Sequence, residues 1–198
     1  MNEDTATDLI IEALEVFINH ILYVRDVYPP QIFRKRKIYD CPVFVSIYPN
    51  VTNYITEALT TARQLKKSNK LKKVELLIYR DEDWTYEKYS FDISDDCLLA
   101  IARRGKDPYL LECEQQLRTA LYSLSERCKS FEKLPEDARF RIQLHTTQSA
   151  FMETCCGPAS QDFPWLQTEN DGDGGFREVK LLPICTINST GLKINAFV

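Results

Sequence analysis

The sequence contains little glycine and little histidine, and these shortages exclude several kinds of chemistry. It has 6 glycines, three of them within 172–175, and none forms the loop before a helix, with its Lys and Ser/Thr, that binds nucleotide phosphates. It has 2 histidines, and no Gly-x-Ser-x-Gly segment that would present a nucleophile. We expect His20 in a helix and His145 at the end of a strand to have structural or solvent-facing roles. The sequence therefore predicts no catalytic residue, no cofactor and no metal site.

Excess positive charge, long apolar runs and a disulfide pattern are also missing. The net charge is -4, which argues against a protein whose main task is to neutralise nucleic-acid phosphates. No apolar run approaches the roughly 18 residues of a membrane span, and residues 1–8 are acidic and polar, unlike a secretory signal. The 7 cysteines are odd in number and scattered, which indicates reduced thiols. We expect an intracellular protein that neither enters a membrane nor binds nucleic acid sequence-specifically.

Hydrophobic periodicity predicts an α+β domain. Apolar spacings of three and four residues predict a helix from Asp8 to Tyr28, a second ending near Lys66, and a long third helix from Asp107-Pro108 to Phe131. Alternating or β-rich runs predict strands at 43–48, 74–79, 84–93 and 139–145. The alternation changes phase near Glu87 and Lys88, which predicts a β-bulge.

The chain changes character after Thr146. About fifty residues contain no helical stripe, and two short β-like runs lie at 179–187 and 192–198. Apolar side chains are nevertheless frequent there, among them Phe163, Trp165 and Leu181. A segment this apolar is not typical of disorder, and long irregular segments in compact domains are usually functional. We expect it to dock on the body of the protein.

A basic run, Arg34 to Lys37, follows the first helix in a loop or edge strand. Such a run is consistent with a nuclear import signal, with a contact to DNA phosphates, or with a solvated loop. Its length of only four residues does not decide between these interpretations.

Four segments of the sequence carry a resemblance to a known family. They are Leu22-Tyr-Val-Arg-Asp-Val-Tyr-Pro29, Ile32-Phe-Arg-Lys-Arg-Lys37 with Cys41-Pro-Val43, Val74 to Ile93, and Asp162-Phe-Pro-Trp165. With them the chain resembles the HORMA family, in particular its branch of DNA polymerase zeta accessory subunits. The resemblance implies a single HORMA domain over 1–198, in which three helices back an antiparallel sheet. It divides the domain into a core of about 8–147 and a C-terminal belt of about 148–198.

The resemblance also implies a function without catalysis. The belt is expected to close over a peptide from the catalytic subunit of DNA polymerase zeta, with Tyr54 and Trp165 gripping that peptide. Leu181, Asn195 and Phe197 match a second surface, which in the family meets a translesion deoxycytidyl transferase. The protein would then act in the nucleus, with the cytoplasm left open.

Two further expectations follow from the resemblance. Lys35 and Arg118 match positions used for self-association, as a homodimer or with another HORMA protein. The alternative function is a spindle-checkpoint or other cell-cycle HORMA adaptor, which would hold a different peptide, and cell-cycle regulators are candidate partners in that case. Asp162 to Trp165 favours the polymerase subunit.

Overall fold

The helices and strands form the predicted α+β arrangement. The computed structural model describes residues 3–81, 84–94, 106–156, 165–167, 181–187 and 191–198. Its helices are α1 (Glu3–Val24), α2 (Pro49–Lys67), α3 (Lys106–Cys128) and α4 (Gln148–Cys156). Its strands are β1 (Phe33–Ile38), β2 (Cys41–Ser46), β3 (Lys73–Asp81), β4 (Trp84–Ile93), β5 (Arg139–His145), β6 (Leu181–Ile187) and β7 (Leu192–Phe197).

The main sheet has five strands in the order β5-β3-β4-β7-β6, and each neighbouring pair is antiparallel. Strands β1 and β2 form a separate antiparallel ribbon. The C-terminal hairpin β6–β7 joins the sheet through β4, while β5 lies at the opposite end. The segment after Thr146 therefore docks on the body where the sheet can accept two more strands.

The apolar stripes of α1, α2 and α3 meet the inner face of the sheet in one core. Helix α1 contributes most, because Leu14, Phe17, Ile18 and Ile21 are fully buried. Phe17 lies against Phe91 of β4 with ring centroids 6.2 Å apart. Burying one such side chain stabilises the fold by roughly 1.5–3 kcal/mol, which makes α1 the central support of the core.

Helix α1 ends at Val24, so the prediction that it extends to Tyr28 was wrong. Asp26 adopts the left-handed conformation with φ of 52°. The Val27 amide donates to the Leu22 carbonyl at 3.1 Å, and the Asp26 amide to the Tyr23 carbonyl at 3.1 Å. These two bonds form a Schellman cap, which stops the helix before the prolines act.

The predicted β-bulge is confirmed in β4. Ile78 pairs with Glu87 and Tyr79 pairs with Thr85, so Tyr86 is the extra residue. The extra residue lies one position before Glu87, because the changed alternation of apolar and polar side chains is seen only in the residues that follow a bulge.

The belt contains one helix, and the expectation that it has none was wrong for 148–156. Helix α4 is short and only Ala150 is buried among its described side chains, so no apolar stripe marks it. Its start is capped locally, because the Ala150 amide donates to Oγ1 of Thr147 at 3.3 Å. Side-chain caps of this kind satisfy amides that have no helical partner.

A buried ion pair between Arg25 and Glu87 joins α1, β4 and α3. The Nε of Arg25 donates to Oε1 of Glu87 at 2.9 Å, and its Nη1 donates to the Cys128 carbonyl at 3.1 Å. The hydroxyl of Tyr89 donates to Oε2 of Glu87 at 2.7 Å. Arg25 therefore also caps the C-terminal end of α3, where carbonyls lack helical partners.

Replacing Arg25 with Ala should destabilise the protein by about 3–5 kcal/mol, because it leaves the buried Glu87 carboxylate unpaired. Urea denaturation measures this loss. The matched control is Arg63→Ala, whose ion pair with Asp8 is about half exposed on both sides and should matter little. A loss no larger than that of the control would contradict this role of Arg25.

His20 lies in the core between α1 and α3. Its Nε2 forms a hydrogen bond with Oγ of Ser125 at 2.8 Å, and burial lowers its pKa from 6.5 to about 4. As the pH falls, the unfolded chain therefore binds a proton before the folded protein does. Stability contributed by neutral His20 is complete above the unfolded pKa and is lost as the pH falls from 6.5 towards 4.

The His20→Gln variant should remove this pH dependence. Between pH 7 and pH 4 the free energy of unfolding of the wild type should fall by roughly 2–3 kcal/mol more than that of the variant. Chemical denaturation at a series of pH values measures the difference. Parallel pH profiles for the two proteins would show that His20 does not titrate in this window.

Candidate functional site

One long edge of the main sheet carries no neighbouring strand within the described ranges. Strand β5 is paired with β3 on one side only. The His145 carbonyl accepts from the Lys72 amide at 2.9 Å on the β3 side, whereas the Ile142 amide donates to the hydroxyl of Tyr54 at 3.0 Å. Because backbone groups alternate along an antiparallel strand, Phe140, Ile142 and Leu144 direct theirs away from β3. We call these groups the open edge.

Tyr54 on α2 stands beside the open edge. Its ring meets Phe140 edge-on, with centroids 5.4 Å apart at 83°, and Phe140 also meets Tyr28 edge-on at 5.9 Å. Burial raises the pKa of Tyr54, so the phenol is neutral at physiological pH. The aromatic contacts hold a protonated hydroxyl in the plane of the sheet edge.

Trp165 of the belt contacts the same helix, α2. Its Nε1 donates to Oγ1 of Thr61 at 3.3 Å, and its ring packs against the core while Leu166 is 90% exposed. Thr61 follows Tyr54 by two helical turns, so the two residues share one face of α2 about 10 Å apart. An extended chain covers that distance with about three residues. Tyr54 and the contact between Thr61 and Trp165 therefore lie along one face of α2, at a spacing that a short peptide can bridge.

The start of the belt is fixed to the body where β5 ends. Oγ1 of Thr146 donates to the Lys70 carbonyl at 2.8 Å, and Nζ of Lys70 lies 2.6 Å from Oε2 of Glu153 on α4. These contacts hold the beginning of the belt against the loop that leads from α2 to β3. The belt therefore leaves the sheet from a defined point.

A cluster of charged side chains surrounds Glu75 beside the end of β5, where the belt begins. His145 forms a hydrogen bond with Oε2 of Glu75 at 2.9 Å, and Nζ of Lys73 lies 2.7 Å from Oε1. Burial of Glu75 would raise the pKa of its carboxyl, but the bonds from His145 and Lys73 lower that pKa below its usual value. His145 thus has a structural partner, in line with the role expected of it. The side chains of Cys155 and Cys156 lie outside the described residues.

The residues predicted for a second partner lie together at the other end of the sheet. Leu181 pairs with Phe197 across the β6–β7 hairpin, and Asn195 precedes Phe197 by two residues, so Asn195 and Phe197 share one sheet face. The Lys88 ammonium lies 4.6 Å from the Phe197 ring centroid, and the Asn195 amide donates to Asp92 at 3.3 Å. The Leu181 side chain lies outside the described residues.

Lys35 and Arg118, predicted for self-association, are not in contact with one another. Lys35 is exposed on β1. Arg118 on α3 donates through Nε to the Tyr39 carbonyl at 2.8 Å and lies 3.8 Å from Asp40. Arg118 thus holds the turn between β1 and β2.

The basic run is an exposed edge strand. Arg34 to Lys37 occupy most of β1, and all four side chains are exposed. Charged side chains on an edge strand discourage pairing with other chains, which gives the run a structural role.

Among the described residues, no group of three or more His, Cys, Asp or Glu side chains is arranged to hold a metal ion. No helix in the described ranges has both the length and the apolar character needed to cross a membrane.

Sequence reasoning missed the open edge and Thr61. The alternation of Arg139 to His145 predicted the strand and its inner face but gave no sign of which strand ends the sheet. Thr61 could have been found, since it follows Tyr54 at a spacing of seven, which returns to the same helix face.

The comparisons with known proteins agree with this architecture. Residues 6–155 match the model of the HORMA domain. DNA polymerase zeta subunit 2 of Drosophila melanogaster is 36% identical over 202 residues, covering 100% of this chain and 99% of that protein. The mitotic spindle assembly checkpoint protein MAD2B of Homo sapiens is 33% identical over 191 residues, covering 96% and 89%.

Solved structures share the fold at low sequence identity. A chain in the crystal structure of the mitotic checkpoint complex superposes with a TM-score of 0.80 at 16% identity, covering 100% of this chain and 95% of that one. C. elegans HTP-2 bound to the HIM-3 closure motif gives 0.68 at 16% identity, covering 99% and 91%. With the family model and the full-length relative, these findings show that the chain belongs to the HORMA domain family.

Proposed function

We propose that this protein is a non-catalytic adaptor subunit of the translesion DNA polymerase zeta, and that it grips a peptide of the catalytic subunit under its belt. The observation that carries the proposal is the open edge of β5, flanked on one helix face by Tyr54 and by the Trp165–Thr61 contact. The similarity to DNA polymerase zeta subunit 2 over the whole chain supports the choice of partner.

The geometry suits capture of an extended peptide. A peptide laid along β5 gains main-chain hydrogen bonds as an added strand, and the aromatic rings of Tyr54 and Trp165 supply large apolar area with polar ends. The belt leaves β5 at Thr146, and its hairpin β6–β7 lies at the other end of the sheet. Release then requires local opening of the belt, which gives a modest interface a long residence time.

The second surface is proposed to bridge to a translesion deoxycytidyl transferase through Leu181, Asn195 and Phe197. Its support is the register of the C-terminal hairpin, in which Leu181 pairs with Phe197 and Asn195 lies two residues before Phe197. The hairpin lies at the end of the sheet opposite to β5. Both partners could therefore be held at once.

The remaining assignments complete the proposal. The chain is one HORMA domain with a core of about 8–147 and a belt of about 148–198, and it acts in the nucleus. Self-association through Lys35 and Arg118 would require Arg118 to exchange its contacts with the β1–β2 turn for contacts with the second copy.

A spindle-checkpoint or other cell-cycle adaptor is the second candidate. It is favoured by the similarity to relatives named mitotic spindle assembly checkpoint protein MAD2B. Such a protein would use the same edge and the same aromatic wall. The two candidates therefore differ in the sequence of the captured peptide.

Replacing Trp165 with Ala should weaken binding of the partner peptide by about 2–4 kcal/mol, as the loss of a buried aromatic anchor does. The probes are synthetic peptides that tile the polymerase zeta catalytic subunit of the same organism, and calorimetry measures their affinity. The matched control is Leu166→Ala, since that neighbouring side chain is almost fully exposed.

Two results would count against the proposal. Equal affinities of the wild type, the Trp165 variant and the Leu166 variant would remove Trp165 from the grip. Absence of any binding peptide from the catalytic subunit, together with capture of peptides from checkpoint proteins, would favour the second candidate.

A further inference from the structure

The hydroxyl of Tyr54 occupies the position that a bound peptide would need. It lies 3.0 Å from the Ile142 nitrogen and accepts that amide's hydrogen bond, on the side of β5 that faces away from β3. A strand added to this edge would place a main-chain carbonyl oxygen about 2.9 Å from the same nitrogen. Two oxygen atoms cannot fill that one position, so the hydroxyl and a ligand carbonyl exclude each other.

The hydroxyl is held there by packing. The Tyr54 ring meets Phe140 edge-on at 5.4 Å, and Tyr54 extends from a helix whose face towards the core includes the fully buried Ala58 and Ile55. In contrast, no bond from a described residue is made on the outer side of Phe140 or Leu144. The cap is thus confined to the middle of the open edge, where burial is deepest, since Ile142 is only 4% exposed.

We propose that the Tyr54 hydroxyl stands in for a main-chain carbonyl of the ligand. Without a ligand, the hydroxyl accepts the hydrogen bond of the Ile142 amide. When a ligand binds, its main-chain carbonyl accepts that hydrogen bond instead, and the Tyr54 ring remains beside the ligand as a side wall. This inference rests on the peptide site proposed above.

The exchange has consequences for the ligand and for the empty protein. The ligand must present an extended main chain with a carbonyl opposite Ile142, whatever its side chain at that residue. The empty protein avoids an unsatisfied amide at a buried position, which is costly, and presents an interrupted edge that pairs poorly with other strands. The hydroxyl therefore opposes binding, although the aromatic ring favours it.

The test uses a peptide selected on the wild type from a random 12-residue display library, chosen because Trp165→Ala abolishes its binding. Calorimetry compares the wild type, Tyr54→Phe and the control Tyr122→Phe, which alters an exposed tyrosine on α3. The Tyr54 variant loses the competing hydroxyl but keeps the ring, so it should bind about fivefold more tightly, the factor equivalent to one hydrogen bond of about 1 kcal/mol. The control should bind like the wild type. In the free Tyr54 variant, the Ile142 amide should also exchange faster with solvent.

Unchanged or weaker binding by the Tyr54 variant would overturn the inference, because the hydroxyl would then remain on Ile142 or bond to the ligand in the complex. Unchanged exchange at Ile142 would overturn the cap itself. If library peptides bind as expected but polymerase zeta peptides do not, the inference stands and the proposed partner falls. If no selected peptide depends on Trp165, both fall.

Discussion

The main sheet ends in two edge strands, β5 and β6, and the C-terminal hairpin supplies one of them. The β6–β7 hairpin extends the sheet beyond β4, and β5 remains as the other end. An edge strand presents backbone groups that pair readily with another chain, so this edge suits the peptide binding proposed above and also has to be protected from unwanted pairing. The control comes from one helix face, where Tyr54 caps the middle of the edge and Thr61 holds Trp165 of the belt. In the proposed function, affinity, selectivity and slow release all depend on the position of β5 at the end of the sheet.

Polar contacts in the body of the protein hold the sheet and the start of the belt in place. The Arg25–Glu87 pair joins α1 to β4 and caps α3, so the supports of the sheet behave as one unit. Near the start of the belt, His145 and Lys73 both contact the buried Glu75 carboxylate. The Thr146 hydroxyl donates a hydrogen bond to the Lys70 carbonyl. These polar contacts lie where the belt begins, whereas apolar packing forms the core.

The sequence predicted the helices, the strands and the bulge well because each leaves a periodic trace. The apolar stripe of α1 and the alternation of Arg139 to His145 arise because apolar residues recur wherever a side chain faces the core. The end of α1 was misplaced because Asp26 adopts a left-handed conformation that glycine more often supplies, and α4 was missed because a short, mostly exposed helix has no stripe. The positions of Tyr54 and Trp165 came from resemblance. Other features depend on strand order and on contacts between residues far apart in the chain, which no local pattern contains. They are the open edge, the cap on Ile142, and the fact that Tyr54 and the Trp165 contact share one face of α2.

Backbone amide hydrogen exchange with and without a bound peptide of the polymerase zeta catalytic subunit tests the central claim most directly. The account predicts that the amides of Phe140 and Leu144 exchange readily in the free protein and become strongly protected in the complex, as new strand bonds form along β5. Protection that appears instead along the exposed edge of β1 or of β6, with Phe140 and Leu144 unchanged, would contradict it.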